Sequence, residues 1–133
     1  EQKTMMSLWC MLRSPLMIGG ELTGFDDFTL SLVTNAELLE IEKNSYCAHQ
    51  LWRKHIDDCE QIAWFAPAVS GDAWYLAMFN AGEKETTISV DLTQLGIAPE
   101  KAYDIWEKAS VNVDETVTAK VNPHGVCLLK LKR

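Results

Sequence analysis

Gln61 to Leu92 reads QIAWFAPAVSGDAWYLAMFNAGEKETTISVDL. Three short apolar runs stand in it: QIAWFAPA, AWYLAMFNA and TTISVDL. Ser70–Gly71–Asp72 separates the first two, and Asn80–Ala81–Gly82 follows the second; both are turn-forming combinations. TTISVDL alternates, with Thr86, Ile88, Val90 and Leu92 on one face, the period of a half-buried strand. AWYLAMF is apolar on both faces, which predicts a central strand covered on each side.

The same grammar continues in both directions. QLWRK lies upstream, and AYDIWE, TVTAKV and GVCLLKL lie downstream. In TVTAKV, residues Val117, Ala119 and Val121 share a face. Gly96 and Asn122–Pro123–His124–Gly125 supply further turns. Seven short strands punctuated in this way predict a mainly β chain whose C-terminal part is an antiparallel sandwich.

Before about residue 50 the pattern is helical. In KTMMSLWCMLR (residues 3–13), Met5, Leu8, Trp9 and Leu12 recur at i, i+3, i+4 and i+7, the expected core stripe of a helix. Pro15 ends it, because a residue before proline avoids helical angles. PLMIGG then reads as a short strand buried on both faces, as in a parallel sheet. Thr23 to Asp26 resembles a capping box opening FDDFTLSLV, where Phe25, Phe28 and Leu32 share a face; Thr34 to Glu37 is a second box opening ELLEIEK. Helix, strand, helix, helix is the tail of a βα repeat, and one parallel strand cannot form a sheet alone. The chain opens on Glu-Gln-Lys-Thr, without an initiator Met, and enters a helix within four residues. That start predicts a piece of a longer protein.

The 133 residues amount to one domain's worth of chain. Twelve basic and 19 acidic residues give a net charge of −7, which argues against a nucleic-acid backbone or an anionic membrane surface as partner. No apolar run approaches the length of a membrane-spanning helix.

Chemistry-bearing residues are few. A glycosidase needs two carboxylates flanking one bond. The acidic pairs Asp26–Asp27 and Asp57–Asp58 are adjacent in sequence and do not face one site. The first pair reads as helix capping and the second as a solvated turn. His49, His55 and His124 lack metal-ligand spacing, and Cys10, Cys47, Cys59 and Cys127 form no CxxC pair. Cys10 and Cys127 sit in apolar stretches and read as buried thiols, while spacing alone does not support a Cys47–Cys59 bridge. No nucleophile elbow, phosphate loop or dinucleotide fingerprint is present, so no cofactor and no metal are expected. Trp64 and Trp74 lie in core-like runs. Trp52 and Trp106 have polar neighbours and are the candidate sugar-stacking platforms.

SLWCMLRSPLMIGGELTGFDDFTLSLVTNAELLEIEKN (residues 7–44) resembles a segment of the family 27 glycoside hydrolases, the α-galactosidase and α-N-acetylgalactosaminidase group. WYLAMFNAGEKETTISVDLTQLGI, YDIWE and VNPHGVCLLKL resemble the same family's C-terminal β domain. The resemblance implies that residues 1–48 are the end of a (β/α)8 catalytic barrel and 49–133 an antiparallel Greek-key sandwich. Residues 15–19 are then the eighth barrel strand. The two catalytic aspartates of such enzymes map upstream of Glu1, so no catalytic residue is expected here. Glu21 stands where the family usually has Asp, in the loop after that strand, and its implied role is local structure with a minor part behind the active site. IEKNSYCAHQ replaces the family's Asn-Gln-Asp-rich stretch and points towards a bacterial branch.

The resulting expectation is the non-catalytic C-terminal portion of a retaining α-galactosidase-like hydrolase, with the rest of the barrel as partner, an α-galactoside as the parent's substrate, and a secreted or periplasmic parent. Two alternatives stand beside it: a stand-alone carbohydrate-binding sandwich using Trp52 and Trp106, and a purely structural domain. In the last case Met5, Leu8, Trp9 and Leu12 are exposed and drive self-association.

Overall fold

A computed structural model describes all residues, 1–133. Three helices come first: α1 (Gln2–Met11), α2 (Asp27–Val33) and α3 (Ala36–Asn44). Eight strands follow: β1 (His49–Ile56), β2 (Cys59–Pro67), β3 (Ala73–Asn80), β4 (Thr86–Asp91), β5 (Lys101–Asp104), β6 (Ala109–Val111), β7 (Thr116–Val121) and β8 (Val126–Lys132). A six-stranded sheet has the order β1-β2-β3-β8-β5-β6, and β4 and β7 form a second sheet. Every pairing is antiparallel. The nested pairs β3–β8 and β4–β7 join strands distant in sequence, as a Greek key requires.

The apolar run AWYLAMF becomes β3, third in the large sheet and buried at every position. Two cores explain why both faces are apolar. Tyr75, Ala77 and Phe79 point to one side and join Met6, Cys10, Met11, Leu32, Leu38 and Ile41 of the helices. Trp74, Leu76 and Met78 point to the other and join Ile88, Val90, Val117 and Val121 of the small sheet. The molecule is therefore three layers, helices on sheet on sheet. The alternation read in TTISVDL and TVTAKV matches the burial of β4 and β7. Asp57 and Asp58 form a solvated two-residue turn between β1 and β2, both with left-handed φ (48° and 61°), as a type I′ hairpin requires.

Several expectations need correction. The α1 stripe is on the opposite face: Met5 (57% exposed), Leu8, Trp9 and Leu12 (50%) are exposed, while Met6, Ser7, Cys10 and Met11 are buried against the sheet and α3. MMSLWCML is apolar nearly all round, so periodicity admits two faces. The buried one carries the small residues Ser7 and Cys10, which permit close packing. Residues 15–19 form no strand. Met17 is 84% exposed and Ile18 is also exposed, because this chain offers no parallel neighbour to complete the ladder. The helix caps are not Thr23 and Thr34, which open the two expected boxes, although the reading of Asp26–Asp27 as capping holds for Asp26. Asp26 itself caps α2, its carboxylate accepting from Thr29 N at 2.6 Å. Asn35 caps α3 by accepting from Glu37 N (3.1 Å) and Leu38 N (3.2 Å). Of the presumed shared face, Leu32 is buried and Phe28 is exposed. Ile105 to Glu107 turn rather than extend, and β6 escapes the sequence pattern because it has only three residues.

Candidate functional site

Two features of the helical side stand out, an uncovered apolar face and a cleft. The face is made by Met5, Leu8 and Trp9 of α1 with its cap residue Leu12, and Met17, Ile18 and Leu22 of the following segment and Phe28 and Leu30 of α2 are exposed as well. Met5, Leu8 and Leu12 also form one wall of an apolar groove of about 530 Å³, with Ile62, Trp64 and Phe79 of β2 and β3 opposite. Exposed apolar surface concentrated in this way marks an interaction surface. The cleft, about 670 Å³, lies between the first turn of α1, the β5–β6 turn, β7 and the β7–β8 turn, with Trp106 in its wall.

Named polar contacts fix the helices to the sandwich. Thr4 Oγ1 donates to the His124 carbonyl at 2.6 Å. Trp106 Nε1 donates to Ser7 Oγ at 2.7 Å, and Ser7 Oγ donates to the Lys3 carbonyl at 2.8 Å. Asp104 Oδ1 accepts from the amides of Trp106 and Glu107, both at 2.9 Å, fixing the turn that carries Trp106. Lys130, on β8, donates to Glu40 (2.7 Å) and Glu37 (3.2 Å) of α3. Tyr75 Oη donates to Glu40 at 3.3 Å. At the far end Asn80 joins two loops: Nδ2 donates to the Lys84 (2.7 Å) and Val121 (3.0 Å) carbonyls, and Oδ1 accepts from Gly82 N at 2.9 Å.

Trp52 and Trp106 are not brought together. Trp52 packs on the small-sheet side of the large sheet, with Lys54 Nζ 4.3 Å from its ring centre, whereas Trp106 packs on the helix side. Glu21 is exposed just before a single 3-10 turn (Leu22–Gly24) and accepts a hydrogen bond from the Thr23 hydroxyl. Lys130 and Ser7 carry long-range contacts that no sequence motif marks, and Asn80 reads in the sequence only as a turn residue. The available signal was a lysine interrupting the apolar GVCLLKL.

The electrostatics favour structure over acid–base chemistry. Asp26, Glu60 and Asp91 are held below the ordinary carboxylate range, chiefly by donors from Thr29, Arg53 and Thr93 respectively. A glycosidase acid needs the opposite displacement. The four cysteines are free thiols, so Cys47 and Cys59 are unbridged. Burial, then Glu42, raises Cys10 to about 11; burial and the adjacent Asp104 push Cys127 up as well. Neither thiol is poised as a nucleophile.

The fold defines a class, a β-sandwich domain with a helical layer over one face. The alpha galactosidase C-terminal beta sandwich domain family matches residues 58–131, more than half of the chain, and the chain belongs to that family. Similarity extends beyond the sandwich. A β-L-arabinopyranosidase of glycoside hydrolase family 27 from Geobacillus stearothermophilus superposes with a TM-score of 0.89 at 41% identity, over 98% of this chain and 29% of that one. Alpha-galactosidase D of Emericella nidulans is 28% identical over 98% of this chain and 20% of its own length. An α-galactosidase of Schizosaccharomyces pombe is 29% identical over 95% of this chain and 31% of its own. The chain thus spans about a fifth to a third of these relatives.

Proposed function

We propose that this chain is the non-catalytic C-terminal portion of a family 27 glycoside hydrolase, in which residues 1–48 complete a (β/α)8 catalytic barrel and residues 49–133 form the sandwich that buttresses it. The observation that carries this reading is the uncovered apolar face of α1 and the segment after it, which lies on the helical part of the chain and away from the sandwich core. The likeness to family 27 proteins over 98% of the chain, helices included, supports it. In this reading residues 15–19, exposed except for Leu16, become a barrel strand once parallel neighbours flank them. Glu21 then stands near the active-site end, behind the sugar-contacting groups.

The parent hydrolyses a terminal glycoside by double displacement, with both carboxylates supplied from elsewhere in the barrel. Its substrate is an α-galactoside. A specific observation favours a second reading, a β-L-arabinopyranoside, since the 41% identical relative has that activity. The two sugars share ring configuration and differ by one hydroxymethyl group. The test is an assay of the pure 133-residue chain against aryl α-galactoside and aryl β-L-arabinopyranoside. Neither is turned over if the reading holds; enzyme-dependent release of the aryl group from either one overturns it.

A further inference from the structure

We propose that the cleft over Trp106 binds a neutral saccharide, at a site that Phe28 lines but the exposed Met5, Leu8, Trp9 and Leu12 do not. Three observations carry this. First, the Trp106 ring is held by its edge. Nε1 is anchored to Ser7 Oγ at 2.7 Å, and its main chain is fixed by Asp104. A ring fixed in this way loses little freedom on binding. Second, the ring is only partly buried against the core, and the Lys3 ammonium stands 5.4 Å from its centre. Lys3 sits on a flexible stem, so a ligand can displace it or take hydrogen bonds from it.

Third, the walls suit a polyhydroxylated ligand. Val111, Ala119 and Val126 are apolar, while Glu107, Thr118 and Asn122 are polar and exposed. Lysines and carboxylates interleave around the cleft, so no field of one sign draws an anion or a cation. A sugar offers C–H groups to an aromatic face and hydroxyls to a carboxylate, an amide and an ammonium. The volume of about 670 Å³ accommodates one or two sugar rings. The groove walled by Met5, Leu8 and Leu12 has a larger apolar share, its polar side chains being Glu1, Thr4, Gln50, Asn80 and His124. Trp52 lacks a comparable cleft.

The test is a proton–nitrogen NMR titration of the 133-residue chain with galactose and with melibiose, using glycerol as the polyol control. The expected result is saturable movement of the Trp106 indole resonance and the Thr118 and Asn122 amides, with the Trp52 indole unmoved. Affinity in the millimolar range is expected, and Glu107→Gln and Asn122→Ala each weaken it about 3- to 10-fold, as loss of one hydrogen bond does. Trp106→Phe abolishes saturation. Both polar variants lie on the surface, so the test survives if that core variant fails to fold. The proposal is overturned by shifts that do not saturate, by equal shifts with glycerol, by movement centred on Trp52, or by unchanged affinity in both polar variants.

Discussion

Lys130 Nζ lies 2.7 Å from Glu40 Oε2, joining β8 to α3 across 90 residues of sequence. The lysine side chain is only 11% exposed. Burial opposes its charge, but the hydrogen bonds to Glu40 and Glu37 outweigh burial and hold its pKa above the ordinary lysine range. Both glutamates remain partly in water, which screens the pair. Lys130→Ala is expected to destabilise the chain by about 1–3 kcal/mol, since it removes the stem packing and two charged hydrogen bonds. Lys130→Met keeps the packing and costs about 1 kcal/mol or less. Urea denaturation of the two variants checks the order.

Alkaline pH should unfold the protein through four raised groups, one of them Cys127, lifted by burial and Asp104. Burial, and Glu42 beside it, lifts Cys10 from 9.0 to about 11. Burial, then Glu40, lifts Tyr75 from 10.0 to about 12. Lys130 is raised as well. A raised folded pKa means the folded state holds its proton longer than the unfolded chain. The stabilisation is fully present below the unfolded pKa and is lost as pH rises through the folded one. Stability is therefore expected to fall progressively between pH 9 and 12. Denaturation midpoints measured across that range report it, and Tyr75→Phe should flatten the upper part of the decline.

The face of α1 is testable by neighbouring substitutions. Met11 is fully buried and Leu12 is half exposed. Met11→Ala should cost about 2–5 kcal/mol, as cavity formation does, whereas Leu12→Ala should stay within about 0.5 kcal/mol. The same exposed face predicts that the isolated chain self-associates. Sedimentation should show concentration-dependent oligomers that Leu8→Glu with Leu12→Glu converts to monomer.

Two turn positions respond oppositely to glycine chemistry. A Cβ at Gly82 meets the Cys59 Cα at 2.8 Å, a backbone atom that cannot give way, so Gly82→Ala should cost about 1–3 kcal/mol. Asp58 has φ 61° in the β1–β2 turn. Asp58→Gly relieves that left-handed conformation and should stabilise by about 0.5–1 kcal/mol. Thermal melts separate the two signs.

The strands were readable in the sequence wherever burial was one-sided or complete. Alternation marked β4 and β7, and unbroken apolarity marked β3 as central. The helices were readable as elements but not as oriented ones. Apolar residues surround α1, and the choice of face depends on where Ser7 and Cys10 let it approach the sheet. PLMIGG has the composition of a buried strand and lacks partners within this chain to become one, a matter of context that local pattern does not contain. The contacts that lock the layers, Lys130 with Glu40, Trp106 with Ser7 and Asn80 with Val121, join residues 41 to 99 positions apart. Spacing rules see only neighbours, so none of these was legible. Trp52 and Trp106 read alike in sequence, but Trp52 stands on a strand facing the small sheet whereas Trp106 stands in the turn between β5 and β6 and packs on the helix side.

In the proposed function the apolar face of α1 meets a catalytic barrel belonging to the same polypeptide. The most direct measurement is to read the coding region upstream of Glu1. The expected result is a repeating βα pattern with an aspartate at the ends of its fourth and sixth strands. A stop codon there, or an unrelated domain, contradicts it.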